Sequence, residues 1–386
     1  MANESSKEKK KLFGTANTRM LAMVIVLIVL WVVFAIITSG SFMTTRNFSN
    51  LLRQAAFTGI MAVGMTFVII TGGIDLSAGM TMGFIGCVMA ALQVWNGVST
   101  PVTILVGLLL GIGIGWAIGA IIAYSGMAPF IVTLGSQLVF RGLMLWITGG
   151  QTIAPFQESY KFWGTAYVPK AAGWVICVVA CLGLLWSYVR DRRSKIKYGL
   201  DAGSMGAMIG KWILFSAIIV AAIAALNDFQ GIPVPVLVMF IVVLVFSFVA
   251  NNTTFGRSVY AIGGNMAAAK YAGINVKKSL VIVYTINTFL CAVAAVIYTA
   301  RLNGGTSQVS NGNYELDAIA SSVIGGTSMT GGVGKVGGAI LGAVIMMSID
   351  NGMSMKNLDA YWQFIVKGII LVLAVLFDTK TQQTNK

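Results

Sequence analysis

Histidine is absent from all 386 residues, and only 10% of the residues are charged, against about 25% in ordinary soluble domains. Without imidazole the commonest proton relay, metal ligand and general base is missing. That removes most hydrolase and metal-site readings, and no catalytic residue or metal is expected. Cysteine is sparse, and Cys87, Cys177, Cys181 and Cys291 all lie inside apolar runs. Neither a disulfide framework nor a metal cage is expected there, so they read as small packing residues.

What is present is apolar: 57% hydrophobic residues and a mean hydropathy of +0.85. Met20 to Thr38 is an unbroken apolar run of about one membrane span, too long for a signal-peptide core. A lysine-rich segment precedes it and no A-x-A pattern follows, so it reads as an uncleaved anchor. The pattern predicts an all-α polytopic transmembrane bundle of about twelve spans. They begin near Met20, Leu51, Leu76, Val102, Pro129, Ala171, Trp212, Pro233, Ser279, Ala318, Val336 and Trp362.

With the N-terminus inside, the inside segments are 1–19, 71–75, 125–128, 190–211, 251–278, Lys335 and the tail 378–386. They carry 18 of the 26 Lys and Arg and 6 of the 12 acids, the outside loops carry 6 of each, and Arg141 and Lys367 lie within helices. The positive-inside rule therefore puts both termini in the cytoplasm. The net charge of +14 faces anionic headgroups, and no aromatic-interleaved basic surface suggests nucleic acid.

Glycine supplies the next signal, with 45 residues mostly inside the spans. Gly107, Gly111, Gly115 and Gly119 recur every four residues along one helical face, which predicts tight helix packing. The Gly325–Lys335 stretch looks like a phosphate loop, but Met329 and Val336 stand where a Walker sequence needs Gly and Ser or Thr. Any ATP must then be bound by a partner, and the chain needs no cofactor of its own. Residues 318–349 read instead as a Gly-rich broken or sharply turned helix pair. It either lines a pathway, with Thr327, Ser328 and Thr330 offering hydroxyls to a polyhydroxy solute, or is a plain cytoplasmic turn.

Asp75 stands directly before an apolar run, where its carboxylate either caps the new helix or meets a solute with Ser77. Arg141 lies mid-span, where a charge costs roughly 2.5 to 3.5 kcal/mol on insertion scales; it must snorkel, pair or face water. Lys367, nearer the outer end of the last span, is expected to snorkel. In the basic loop 251–278, Asn265 as N-cap and Gly273 as C′ bound a short helix bearing Ala267, Ala268 and Ala269. Small exposed residues there suit protein docking, the alternative being a solvated loop.

These residues together resemble the permease subunits of bacterial ABC importers for ribose, galactose, xylose and related monosaccharides. The likeness rests on Gly73-Ile74-Asp75-Leu76-Ser77, Pro129-Phe130-Ile131-Val132-Thr133-Leu134-Gly135, Phe255-Gly256-Arg257 with Ala261-Ile262-Gly263-Gly264-Asn265, and Glu315-Leu316-Asp317-Ala318-Ile319-Ala320. Residues 171–232, two extra spans around a basic loop, depart from the ribose type, and longer permeases of the xylose and multiple-monosaccharide kind are closer. The resemblance implies a permease domain over 20–377 in the bacterial inner membrane. It also implies a second permease copy, ABC ATPase subunits beneath, and an extracytoplasmic sugar-binding protein, with xylose the favoured sugar. Residues 263–273 match the coupling element, through Gly263, Gly264, Asn265, Ala267, Ala268, Ala269 and Gly273; Asp75, Ser77, Thr133, Arg141, Thr327 and Ser328 are the expected pathway residues. The alternatives are an ion-gradient-driven transporter and a branched-chain amino acid permease.

Overall fold

The structure, a computed structural model, describes residues 15–384, so most of the expected tail 1–19 lies outside the described residues. In chain order the helices are α1 (Thr15–Ile37), α2 (Thr45–Ile70), α3 (Ala78–Ala90, continued by a wide turn to Trp95), α4 (Thr100–Ser125), α5 (Pro129–Thr148) and α6 (Glu158–Thr165). They continue with α7 (Lys170–Lys197), α8 (Met205–Phe229), α9 (Val234–Asn252), α10 (Thr254–Gly264) and α11 (Met266–Tyr271). The last four are α12 (Val276–Leu302), α13 (Tyr314–Ile324), α14 (Val336–Met355) and α15 (Ala360–Thr384). Strands β1 (Tyr167–Val168) and β2 (Ile232–Pro233) pair antiparallel and tie the start of α7 to that of α9. The final helix runs past Asp378, where the sequence placed the start of a tail.

Ten of these helices are long and apolar enough to cross a membrane, and α1 adds a shorter apolar stretch, Leu21–Ile37. The chain is thus an all-α polytopic bundle, but the expectation of twelve spans needs correction. The run near Ala318 is α13, whose 11 residues reach about 16 Å at 1.5 Å per residue, half a hydrocarbon core of about 30 Å. It turns through Gly325–Lys335 and packs back against α14, with Gly325 on the backbone of Gly338 and Gly342 on that of Ser321. The broken helix pair is therefore a half-span and a full span.

Helix α2 is the axis of the core, buried along most of its length. Around it lie α9, α12, α13 and α14. The glycine face of α4 does what its spacing predicts: Gly111, Gly115 and Gly119 lie on α12, and Gly107 on Met89 of α3. A Cβ on Gly115 would lie 1.8 Å from the Thr288 hydroxyl oxygen, so only glycine permits this approach. All four cysteines are free thiols. The α7–α8 hairpin is peripheral; its end beside the β1–β2 ladder rests on Phe48 and Leu52 through Cys177, Ile223 and Leu226.

Hydrogen bonds and ring contacts sort the helix ends into two sets. Arg53 bonds Tyr167 and the Gly164 carbonyl, Asn47 bonds Asn351, and Thr45 bonds Asp228 on one side. On the other, the Gly332 N–H bonds the Ile70 carbonyl, Tyr260 bonds the Gly334 carbonyl, and Lys277 sits over the Tyr124 ring. The second set joins segments that the charge count assigned to one face.

Candidate functional site

Beyond Ile70 the chain turns at Thr71 and Gly72 and folds back into the bundle before α3 begins. Asp75 and Ser77 are fully buried there. One Asp75 oxygen accepts the Ser77 N–H at 2.8 Å and its hydroxyl at 2.6 Å, and the other accepts Asn287 Nδ2 at 2.7 Å. Asn287 packs against Gly64, six residues before the end of α2 and so about 9 Å back from it. Irregular backbone therefore sits at membrane depth, where each polar group needs an internal partner. Thr133 of α5 supplies two, accepting the Leu76 N–H at 3.2 Å and donating to the Ile74 carbonyl at 3.3 Å. Asp75, Ser77 and Thr133 thus form one constellation, completed by Asn287 and by Tyr284, whose buried hydroxyl is without a partner against Gly73.

Thr327 and Ser328 lie elsewhere, in the Gly-rich turn at the end of α13. Both are buried; the Thr327 hydroxyl is without a partner, and that of Ser328 bonds Thr330 at 2.9 Å. The turn is joined to α2 by the Gly332 N–H, 2.9 Å from the Ile70 carbonyl. The last turn of α10 closes over the same place. A Cβ on Gly263 would stand 1.7 Å from that carbonyl oxygen and 2.5 Å from the Gly332 nitrogen, whereas at Gly264 nothing lies within 4 Å. Gly263, Ile70 and Gly332 are thus a three-way backbone joint, and from Ile70 the chain runs directly into the Asp75 segment.

The short helix after this joint is bounded as the sequence predicts. Asn265 accepts the Ala268 N–H at 2.9 Å, and Gly273 takes the left-handed conformation, with φ of +82°. Ala267 and Ala268 are exposed together with Met266 and Tyr271, which is 92% exposed. Ala269 points inward and is buried, so the outer face is narrower than three alanines.

Arg141 stands apart from both clusters. It is exposed on α5, on a face with Phe130, Leu134 and Leu138. Lys367 departs from its reading: it does not snorkel but is mostly buried, bonding Asp317 at 2.9 Å and Asp350 at 2.7 Å. Those two acids and Glu315, which the charge count placed in outer loops, belong to α14 and α13, and Gln137 of α5 donates to Glu315 at 3.3 Å. Asn287, Gln137 and this ionic triad escaped the sequence reading. The only available signal was an unpaired-looking charge or amide inside an apolar run. Among the described residues no group of three His, Cys, Asp or Glu side chains is placed to hold a metal.

Comparison with known proteins bears on this architecture. The profile of the family described as branched-chain amino acid transport system / permease component matches residues 47–375. The xylose transport system permease protein XylH of Escherichia coli K12 is 43% identical over 96% of this chain and 94% of its own length. Its Haemophilus influenzae counterpart is 43% identical over 96% and 98%. The ribose import permease protein RbsC of Bacillus subtilis is 33% identical over 90% and 89%. No solved structure matches. A match over the whole bundle, from the start of α2 to α15, means that the chain belongs to this family of transport-system permeases.

Proposed function

We propose that this protein is the membrane subunit of an ATP-driven importer in the bacterial inner membrane, forming the translocation pathway for D-xylose. The observation that carries this reading is the 43% identity, over nearly the full length of both chains, to proteins named as xylose transport permeases. An extracytoplasmic binding protein delivers the sugar, and ABC ATPase subunits, which hold all the ATP, dock on the 251–278 face beneath. Residues 20–377 make up the permease domain, with both termini cytoplasmic. The glycine joint supports a coupling role for residues 263–273, because a push on α11 reaches the Gly-rich turn and the Asp75 segment through backbone contacts alone. Arg141 supports a second permease copy: a mid-span charge on an exposed face is costly in lipid, and a partner copy or a water-filled pathway removes that cost. Asp75, Ser77, Thr133, Thr327 and Ser328 belong to the moving parts of that pathway.

Reconstitution in proteoliposomes tests the assignment. With the ATPase and binding protein present, labelled xylose should accumulate only when ATP is supplied, and the purified permease alone should hydrolyse none. Accumulation driven by an imposed proton or sodium gradient without the ATPase would overturn it. Uptake of leucine in place of xylose would instead select the branched-chain amino acid reading that the family description carries.

A further inference from the structure

Helix α7 is 28 residues long, about 42 Å at 1.5 Å per residue, and so outruns a hydrocarbon core of about 30 Å. Its excess lies at the end remote from the β1–β2 ladder, on the side of the glycine joint. The α7–α8 hairpin is only sparsely buried along its spans, and Trp174, Val175, Val178, Val179 and Leu182 are exposed, which places lipid around it. Past the apolar part come Arg190, Arg192, Arg193, Lys195 and Lys197, with Lys211 on α8, against only Asp191 and Asp201.

These charges are not equivalent. Arg192 is turned onto the hairpin's own loop, donating to the Ala202 and Gly203 carbonyls at 3.2 and 2.7 Å, and Lys195 pairs with Asp191 at 2.7 Å. Arg190, Arg193 and Lys197 have no carboxylate partner among the described residues and are all exposed. Their spacing of three and four residues sets them on one helical face, one above another at each turn. Trp186, one turn nearer the membrane, begins the same stripe; it is 64% exposed, and the Arg190 guanidinium lies 5.3 Å from its ring centre. Beside the cations, Ile196, Tyr198 and Leu200 are 59 to 72% exposed.

An aromatic at the boundary, three unpaired cations beyond it and apolar side chains among them are complementary to an anionic bilayer surface: ring at headgroup level, cations on phosphates, apolar groups inserted. Topology alone requires the charge but not the stripe or the exposed apolar groups. We infer that the Trp186–Arg190–Arg193–Lys197 face of the hairpin is a binding surface for anionic phospholipid headgroups of the cytoplasmic leaflet. It rests on the cytoplasmic placement of the 190–211 loop in the reading above, but not on which solute is carried.

The test uses purified full-length protein titrated with dioleoyl phosphatidylglycerol or dioleoyl phosphatidylcholine and read by native mass spectrometry. Wild type should retain phosphatidylglycerol in preference to phosphatidylcholine. The R190Q/R193Q/K197Q variant should lose about a hundred-fold of that preference, since each basic residue near an anionic surface contributes comparably. The control K195Q/K211Q/K278Q removes as much charge off the stripe and should keep most of it. Both variants should match wild type in unfolding temperature, since none of the six groups is buried. Equal retention by all three proteins, or equal loss in both variants, overturns the inference. So does a stripe variant that keeps phosphatidylglycerol but no longer copurifies with the ATPase, which makes the face a protein contact. Failure of xylose uptake leaves this measurement untouched, so the two readings fail separately.

Discussion

Replacing Gly263 with Ala, while leaving its neighbour Gly264 as an internal control, probes the joint directly. The new Cβ would lie 1.7 Å from the Ile70 carbonyl oxygen, 2.5 Å from the Gly332 nitrogen and 2.8 Å from the Ile70 carbonyl carbon. All three are backbone atoms, which cannot swing aside as a side chain can, so α10 must withdraw from α2 and the Gly-rich turn. Overpacking of this kind costs about 1 to 3 kcal/mol. If the displacement also opens the Gly332–Ile70 hydrogen bond, a further 1 to 3 kcal/mol or so is lost from groups left without partners. Gly264→Ala meets nothing within 4 Å and replaces a helix-weakening residue, so it should be neutral or slightly stabilising. Unfolding temperature and ATP-driven uptake in proteoliposomes are the assays. Gly263→Ala should lower both, with ATP hydrolysis persisting while transport falls, and Gly264→Ala should alter neither. If the two variants behave alike, α10 is not locked to α2 and the joint carries no motion.

Four further outcomes follow from the geometry. Asp75→Asn should set an amide NH2 against that of Asn287, costing about 1 to 3 kcal/mol; D75N/N287D restores a donor facing an acceptor and should recover most of the lost thermal stability. Lys367→Met leaves Asp317 and Asp350 buried without a countercharge and should destabilise by about 3 to 5 kcal/mol, whereas the triple variant D317N/D350N/K367M should lose less, as read by thermal unfolding in detergent. Ala268→Glu alters an exposed position and should leave unfolding unchanged while abolishing ATPase association in a pull-down; normal association would make α11 a mere surface helix. A cysteine at Ser194 should resist an impermeant thiol reagent in intact cells and react in inverted vesicles, the reverse pattern placing the hairpin tip outside.

Much of the bundle is legible in the sequence because its causes are local. An apolar run of about 20 residues has a helix as its workable solution in lipid, so α2, α4, α9 and α12 can be read from composition. The glycine face of α4 follows from 3.6-residue periodicity, and the α11 boundaries from the cap chemistry of Asn265 and Gly273. Composition misled at one place: α13 reads as the start of a span, but its 11 residues end at Gly325 and the chain folds back on α14, which leaves it a half-span.

By itself, then, the sequence determined that this chain lives in a membrane, which face of α4 packs closely and where its short exposed helix begins and ends, since each depends on residues within a turn or two. Only tertiary structure decided the partners of its buried polar groups: Asn287 for Asp75, 212 residues away, Gln137 for Glu315, 178 away, and Asp317 with Asp350 for Lys367. Hydrogen bonds and ion pairs act over about 3 Å in space and are indifferent to separation along the chain. Gly263 shows the same limit from another side. Nothing local distinguishes it from Gly264, yet one is pressed against two other segments and the other faces open space, because the folded neighbours of a glycine, not its own identity, decide whether a side chain could fit.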